Sequence, residues 1–270
     1  MRLSHCECML LAFAFLGSSC IKNSNQAEAT SDSLSLKYTV LTTLPHNTDA
    51  FTEGLVMHDN KLLESTGLNN QSWIAEVNME SGEHNKRVFL DRRYFGEGIT
   101  VLNQKIYQLT YQEKVGFVYD AVSYNKVGEF EYKTEGWGIT HDHRNLIMSD
   151  GSYRLYFLDT ANYQVVRTLE VRDPAGTKIK NLNELEYVDG YIFANVHETS
   201  QIVKIDPENG KIVGKLDFSF LTTEAKRTYQ NASELNGIAY NRSNNTLLIT
   251  GKFWPRAYLV RIEQFGSPQH

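Results

Sequence analysis

The chain has 270 residues, 41% of them hydrophobic and 22% charged, with a formal net charge of −5. That balance excludes a disordered chain, and without a long Lys/Arg run there is no footprint for nucleic acid or for an anionic membrane. The three cysteines, Cys6, Cys8 and Cys20, all precede residue 21, so the rest of the chain can hold neither a disulfide nor a thiolate zinc site.

Residues 1–20 read as an export leader. Arg2 supplies a charge, residues 9–16 an apolar core too short to span a bilayer, and Gly17, Ser18 and Ser19 a small-residue stretch before Cys20. The pattern is similar to a bacterial lipoprotein signal, whose cysteine becomes the lipidated N-terminus, although Leu16 stands one position further upstream than usual. The expectation is an exported protein of the periplasm or cell envelope, touching the membrane only through a lipid anchor at Cys20; plain secretion is the alternative. Residues 21–35 are polar and Ser/Asn-rich and read as a flexible tether, which leaves 36–270 as the folded domain.

A strongly alternating run at 36–41 has the character of an outer strand. After it, one pattern returns five times at a spacing of about 45 residues. The first unit opens with Phe51-Thr52-Glu53-Gly54-Leu55, turns at Asp59-Asn60 and continues through strands at 61–65, 74–78 and 86–90. The second opens with Phe95-Gly96-Glu97-Gly98-Ile99, turns at Asn103-Gln104 and continues through 106–111, 115–120 and 127–132. The third opens with Glu135-Gly136-Trp137-Gly138-Ile139, turns at 142–145 and continues through 146–149, 155–159 and 165–171. A loop at 172–180 leads to the fourth, which opens with Leu182-Asn183-Glu184-Leu185, turns at Asp189-Gly190 and continues through 191–196, 202–206 and 212–218. Residues 221–234 have helix-like composition and predict a short helix. The fifth unit opens with Leu235-Asn236-Gly237-Ile238, turns at 241–245 and ends with 246–251 and 258–262, one strand short. Polar turns between short apolar runs read as hairpins.

Five units in phase make a ring of small sheets, which a β-sandwich would not explain. The fold expected is all-β, a five-bladed β-propeller. The strand at 36–41 completes the last sheet and closes the ring, so that no edge is left open.

A ring has a centre where equivalent residues meet. Two places before the first apolar residue of each inner strand stand Glu53, Glu97, Trp137, Asn183 and Asn236. Packing alone predicts small or apolar residues at that level. Two carboxyls, two amides and an indole there point to a site for a ligand carrying an amine and an amide, because a buried carboxylate costs several kcal/mol unless it is paired. Phe51, Phe95, Tyr111, Trp137 and Trp254 are candidate walls, with plain core the competing role for each. His141 and His143 have metal-like spacing, but Asp142, Arg144 and Asn145 around them mark a hairpin turn. Ser149-Asp150-Gly151-Ser152 lacks a nucleophile elbow.

Several ordered motifs now resemble one family. They are Ala50-Phe51-Thr52-Glu53-Gly54-Leu55, Glu64-Ser65-Thr66-Gly67-Leu68, Phe95-Gly96-Glu97-Gly98-Ile99-Thr100, Glu135-Gly136-Trp137-Gly138-Ile139-Thr140, Ser149-Asp150-Gly151-Ser152, Leu182-Asn183-Glu184-Leu185-Glu186, Leu235-Asn236-Gly237-Ile238-Ala239-Tyr240 and Thr250-Gly251-Lys252-Phe253-Trp254-Pro255. Over 45–262 they resemble the plant- and bacterial-type glutaminyl-peptide cyclotransferases. The resemblance implies a five-bladed propeller, with no cofactor and no catalytic metal, that converts the N-terminal glutamine of peptides or proteins to pyroglutamate and releases ammonia. It implies Glu97 as the acid and base, Asn183 and Lys252 as polar partners of the reacting carboxamide, and Trp137 as an aromatic wall. With these, Phe51, Glu53, Phe95, Tyr111, Glu184, His197, Asn236 and Trp254 form the expected substrate-binding set, in a monomer. The chain departs from the family at Glu53, where many members have Gln, at Tyr111, where Trp is common, and at His197, where Trp is usual.

Two rival readings share the same ring. A non-catalytic envelope propeller would bind peptides or a protein partner through the channel. A lactonase-like hydrolase would need a divalent ion held by the ring carboxylates and amides.

Overall fold

A computed structural model describes residues 34–263. The leader, with Cys20, and the tether up to residue 33 lie outside the described residues. The folded part reaches back to Leu34, which packs against the core, and Ser35, which bridges to Lys215.

The strands form five antiparallel four-stranded sheets, so the chain is a five-bladed β-propeller. After β1 (Tyr38–Pro45), the first blade holds β2 (Thr52–His58), β3 (Lys61–Thr66), β4 (Trp73–Val77) and β5 (His84–Phe89). The second holds β6 (Gly96–Leu102), β7 (Lys105–Thr110), β8 (Val115–Asp120) and β9 (Lys126–Glu131). The third holds β10 (Ile139–His141), β11 (Asn145–Ser149), β12 (Arg154–Asp159) and β13 (Val165–Glu170). The fourth holds β14 (Leu182–Val188), β15 (Tyr191–Val196), β16 (Gln201–Ile205) and β17 (Ile212–Asp217). Helix α1 (Ser219–Thr228) then precedes β18 (Leu235–Asn241), β19 (Thr246–Gly251) and β20 (Arg256–Ile262). The last blade is completed by β1, whose Tyr38 pairs with Ile262 and Pro45 with Arg256.

Local chemistry accounts for the hairpins. Asp59 and Asn60 have φ of 48° and 62°, and Asn103 and Gln104 have 52° and 57°. Two consecutive left-handed residues make the two-residue turn whose twist matches a pair of strands. Helix α1 starts where Asp217 Oδ1 accepts the Ser219 backbone N–H at 2.8 Å, and it buries Leu221 and Ala225 against the last blade. The apolar core lies between blades. One cluster joins Phe193, Ile202 and Leu216 of the fourth blade to Ile238, Leu247 and Val260 of the fifth.

The inner strands approach closely at the axis. One level holds Gly54, Gly98, Gly138 and Gly237, with Glu184 as the fifth member. A methyl on residue 98 would lie 2.7 Å from Ile139 N, and there Gly98 N–H donates to Trp137 O at 2.8 Å. A side chain would clash at residues 54, 98 and 138, and at Gly237 a φ of 121° disfavours one. The fifth fills the centre: Glu184 accepts the N–H of Leu55 at 3.3 Å and of Ile238 at 3.0 Å, tying three inner strands together.

Candidate active site

Above the glycine level, the five inner strands open into a cup of about 170 Å³. Glu53, Glu97, Trp137 and Asn183 reach it from four different blades, and Lys252 enters from the turn after β19. The walls are Phe51, Phe95, Tyr111 and His197. The rings follow one another around the mouth, each tilted or edge-on to the next. Centroid distances run 5.1 Å from Phe253 to Phe51, 6.1 Å to Phe95, 5.9 Å to Tyr111, 6.4 Å to Trp137 and 5.3 Å to His197. Ion pairs close the circle: His197 Nδ1 lies 3.2 Å from Glu234 Oε2, Lys252 Nζ 3.8 Å from the same oxygen, and Lys252 Nζ 4.5 Å from the Phe51 ring centre.

Glu53 and Trp137 are held from behind through their side chains, Glu97 and Asn183 through their backbone carbonyls. Lys252 Nζ pairs with Glu53 Oε1 at 2.9 Å, and Asn236 Nδ2 donates to Glu53 Oε2 at 3.0 Å. Trp137 Nε1 donates to Glu135 Oε2 at 3.1 Å, and its ring rests on Gly151, where a methyl would stand 2.5 Å from Cζ2. Ser65 Oγ donates to Glu97 O, and Gln108 Nε2 donates to that Oγ at 2.9 Å. Ser149 Oγ donates to Asn183 O at 2.7 Å and accepts Gly138 N–H at 2.7 Å. Ser65 and Ser149 thus clip one blade to the inner strand of the next and fix Glu97 and Asn183.

Burial sets the protonation of the carboxyls. Burial first, then the charge of Glu53, pushes Glu97 well above the usual carboxylate range; Glu135 and Glu113 add to this and Lys252 opposes it. Burial lifts Glu53 to about 7 against the pull of Lys252. Burial works against the charge of Lys252, but Glu53, Glu97 and Glu234 outweigh it and hold its pKa above the ordinary lysine value. Glu53, with the ammonium at 2.9 Å, is the first of the two to ionise; Glu97 is the one that keeps its proton.

Three expected binding residues are placed elsewhere. Trp254 is fully buried in the last blade, edge-on to Tyr258, with Nε1 donating to Ser233 O at 3.1 Å; it is core, not a wall. The reason is the turn after β19: Phe253 adopts φ of 60° and sets its ring against Phe51, while Trp254 turns into the blade. Asn236 and Glu184 lie behind the cup and hold Glu53 and the inner strands. Glu234, Glu135, Glu113 and Phe253 were missed. Glu135 and Phe253 stand inside recognisable motifs, but nothing local marks Glu234, which the exit from α1 delivers. His143 sits in the turn before β11, where His141 Nδ1 accepts its N–H at 3.1 Å. Among the described residues no three His, Cys, Asp or Glu side chains gather as a metal site.

A family model described as Glutamine cyclotransferase matches residues 10–262. The chain belongs to the glutamine cyclotransferase family. It is 35% identical over 231 residues to a glutaminyl-peptide cyclotransferase of Arabidopsis thaliana, covering 84% of this chain and 72% of the plant protein. The crystal structure of Myxococcus xanthus glutaminyl cyclase superposes with a TM-score of 0.78 at 32% identity, covering 85% of this chain and 97% of that one. In this glutamine cyclotransferase Tyr111 and His197, two departures from the family pattern, both take places in the aromatic belt, and His197 Nδ1 faces Glu234.

Proposed function

We propose that the chain is a glutaminyl-peptide cyclotransferase, cyclising an N-terminal glutamine to pyroglutamate with release of ammonia, and that Glu97 is its acid and base. The observation that carries this is a buried carboxyl, raised in pKa, facing a cup the size of one amino-acid residue. Family membership and the two named relatives support the activity.

The chemistry needs one group that accepts a proton and then returns it. A peptide α-amine titrates at about 7.7–8.0. Burial raises Glu97 above the ordinary carboxylate range, which makes its carboxylate a stronger acceptor for the amine proton than a free carboxylate. The neutral amine attacks the γ-carboxamide carbon; a C–N bond forms and the carbonyl pair moves to oxygen. Glu97 carboxylate takes a proton from the attacking nitrogen. It then gives that proton to the carboxamide nitrogen, the oxyanion pair re-forms the carbonyl, the C–N bond to that nitrogen breaks, and ammonia leaves.

Lys252 holds three N–H donors, and Glu53 takes one of them, so the ammonium can also face the developing oxyanion. Asn183 Oδ1 is buried with no partner in the protein and suits a donor on the substrate, either the amine or the carboxamide N–H. The aromatic belt encloses the methylenes and limits water, which would otherwise compete with the amine. Holding amine and carboxamide together within the cup supplies the proximity term.

The test is ammonia release from a Gln-initiated dipeptide by the purified protein with EDTA present, beside Glu97→Gln. Turnover by wild type that EDTA leaves intact, and a fall of about 100-fold or more in the variant, is the expected result. A folded wild type that binds peptides without turnover would favour a non-catalytic propeller instead. The leader-like residues 1–20 support a second element of the proposal, export with lipidation at Cys20. Loss of membrane association in Cys20→Ala would support it, and an unchanged distribution would sink it.

A further inference from the structure

The cup takes one residue, whereas the substrate of the reading above is a whole polypeptide. The residues after the glutamine must leave over the rim. A second cavity, of about 560 Å³, starts on the far side of the Phe51 wall. Phe253 and Gly67 line it. Gly67 has no side chain where a methyl would run into the Phe95 and Phe51 rings, so a single layer of rings separates the two spaces.

From that layer the cavity runs radially outward along the first blade. Trp73 at the start of β4, then Arg87 and Phe89 on β5, form one bank. Tyr229 and Asn231, from the turn after α1, form the other. Neighbouring strands lie about 4.8 Å apart, so the path from β2 to β5 is roughly 14 Å. An extended chain advances about 3.3 Å per residue, and the path therefore fits roughly four residues.

The groove is preformed. Its inner loop carries Leu68 and Asn70 in left-handed conformations, with φ of 77° and 67°. Leu68 O accepts Gln71 N–H at 3.1 Å and Ser72 Oγ–H at 2.8 Å, and Ser72 Oγ accepts Gly96 N–H at 2.9 Å. At the outer end the Arg87 guanidinium lies 5.0 Å from the centre of the Trp73 ring and 3.2 Å from His84 Nδ1, which holds its plane in place. A planar guanidinium fixed in this way suits a carboxylate. Phe89 beside it is 64% exposed, an uncovered ring at the end of a path that begins at the catalytic cup.

We propose that this groove is the extended-substrate site, which takes residues two to five of an N-terminal glutaminyl polypeptide as an extended chain, with an acidic side chain at Arg87 and an apolar one on Phe89. The proposal rests on the cyclotransferase reading. It makes the preferred substrates peptides and proteins with a free, extended N-terminal segment, rather than glutaminyl dipeptides.

The test compares amidated Gln-Ala with amidated Gln-Ala-Ala-Asp-Leu on the full chain, beside Phe89→Ser and Arg87→Gln. The expected kcat/KM is about tenfold higher for the pentapeptide, equivalent to about 1.4 kcal/mol. Each variant should remove most of that advantage and leave dipeptide turnover unchanged. Calorimetric titration with the pyroglutamyl forms of both peptides needs no turnover and should show the same length dependence. Equal values for the two lengths, or variants that weaken the dipeptide as much as the pentapeptide, would overturn the groove. If neither peptide is turned over, the cyclotransferase reading fails, and the titration alone decides the groove by the same criterion.

Discussion

Lys252 Nζ lies 2.9 Å from Glu53 Oε1, and this pair controls the proton on Glu97. The family resemblance gives a neutral amide at position 53. Here the charge of Glu53 raises Glu97 and also ties up the ammonium that would lower it. Glu53→Gln removes the first effect and frees Lys252 to exert the second. Both move the Glu97 pKa down. Since the base must be ionised to act, the acid limb of a kcat/KM profile against pH should shift to lower pH in Glu53→Gln. An unmoved or upward-shifted limb would show that Glu53 does not govern that proton.

The axial carboxyl makes a graded prediction. Burial, followed by the charge of Glu186, raises the Glu184 pKa well above the usual carboxylate range, while the N–H groups of Leu55 and Ile238 oppose the shift. Glu184→Gln keeps the volume but turns one of the two acceptor oxygens into an N–H donor facing a backbone N–H, and should cost about 1–3 kcal/mol. Glu184→Ala opens a cavity and orphans the Leu55 and Ile238 N–H groups, at a cost of about 3 kcal/mol or more. Denaturant unfolding of the two variants checks this; equal losses would contradict the role of an axial plug.

The two tryptophans should separate cleanly. Trp254→Ala removes a fully buried ring and should destabilise by about 3–5 kcal/mol, with KM of the folded fraction unchanged. Trp137→Ala, at the belt, should raise KM for Gln-initiated peptides by about tenfold, consistent with the 0.5–1.5 kcal/mol range of aromatic contacts, with little change in Tm. Thermal melts and steady-state kinetics on both proteins decide it.

A buried cluster on the first blade sets a pH dependence of stability. Glu64 accepts from Thr52 Oγ1 at 2.6 Å, His46 Nε2 at 3.1 Å and His84 Nε2 at 2.7 Å, while His46 Nδ1 faces Trp254 O at 2.7 Å. With acceptors at both nitrogens, His46 is an imidazolium. Burial opposes the charge on Glu64, but His46 and His84 override it and hold Glu64 far below its ordinary 4.5. Burial also opposes the charge on His46, and Glu64 holds it above 6.5. A depressed carboxyl contributes stability above its unfolded value and loses it as pH falls; a raised histidine contributes below its unfolded value and loses it as pH rises. The stability gap between wild type and Glu64→Gln should therefore be widest between about pH 4.5 and 6.5 and shrink on either side. A gap that does not change with pH would refute the assignment.

The ring was legible because its signals are local and repeat. Period-two strands, paired left-handed turn residues such as Asp59 and Asn60, and the missing outer strand of the last blade each read without tertiary information. Four of the five residues at the carboxyl level line the cup. Asn236 does not, because its amide is spent on Glu53 and Thr52 O. The Trp254 expectation failed because a single residue with positive φ, Phe253, packs its own ring on Phe51 and turns Trp254 into the blade. The cluster at Glu64 joins residues from the entry to β2, from β3 and from β5, and Glu234 arrives from a non-repeating insertion. No period in the chain connects such partners.

The pairing of β1 with β20 also governs the order in which the molecule can come together. The first described strand to be synthesised must wait for the last before its own hydrogen bonds can form. No other strand pairing among the described residues is as distant in sequence, and non-local pairings of this kind are slow to close. A chain stopped after Gly251 would hold four whole blades and half of a fifth, with β1 unmatched. Emergence of β20 is thus itself the step that locks the molecule, and a chain stopped before it stays open to proteases.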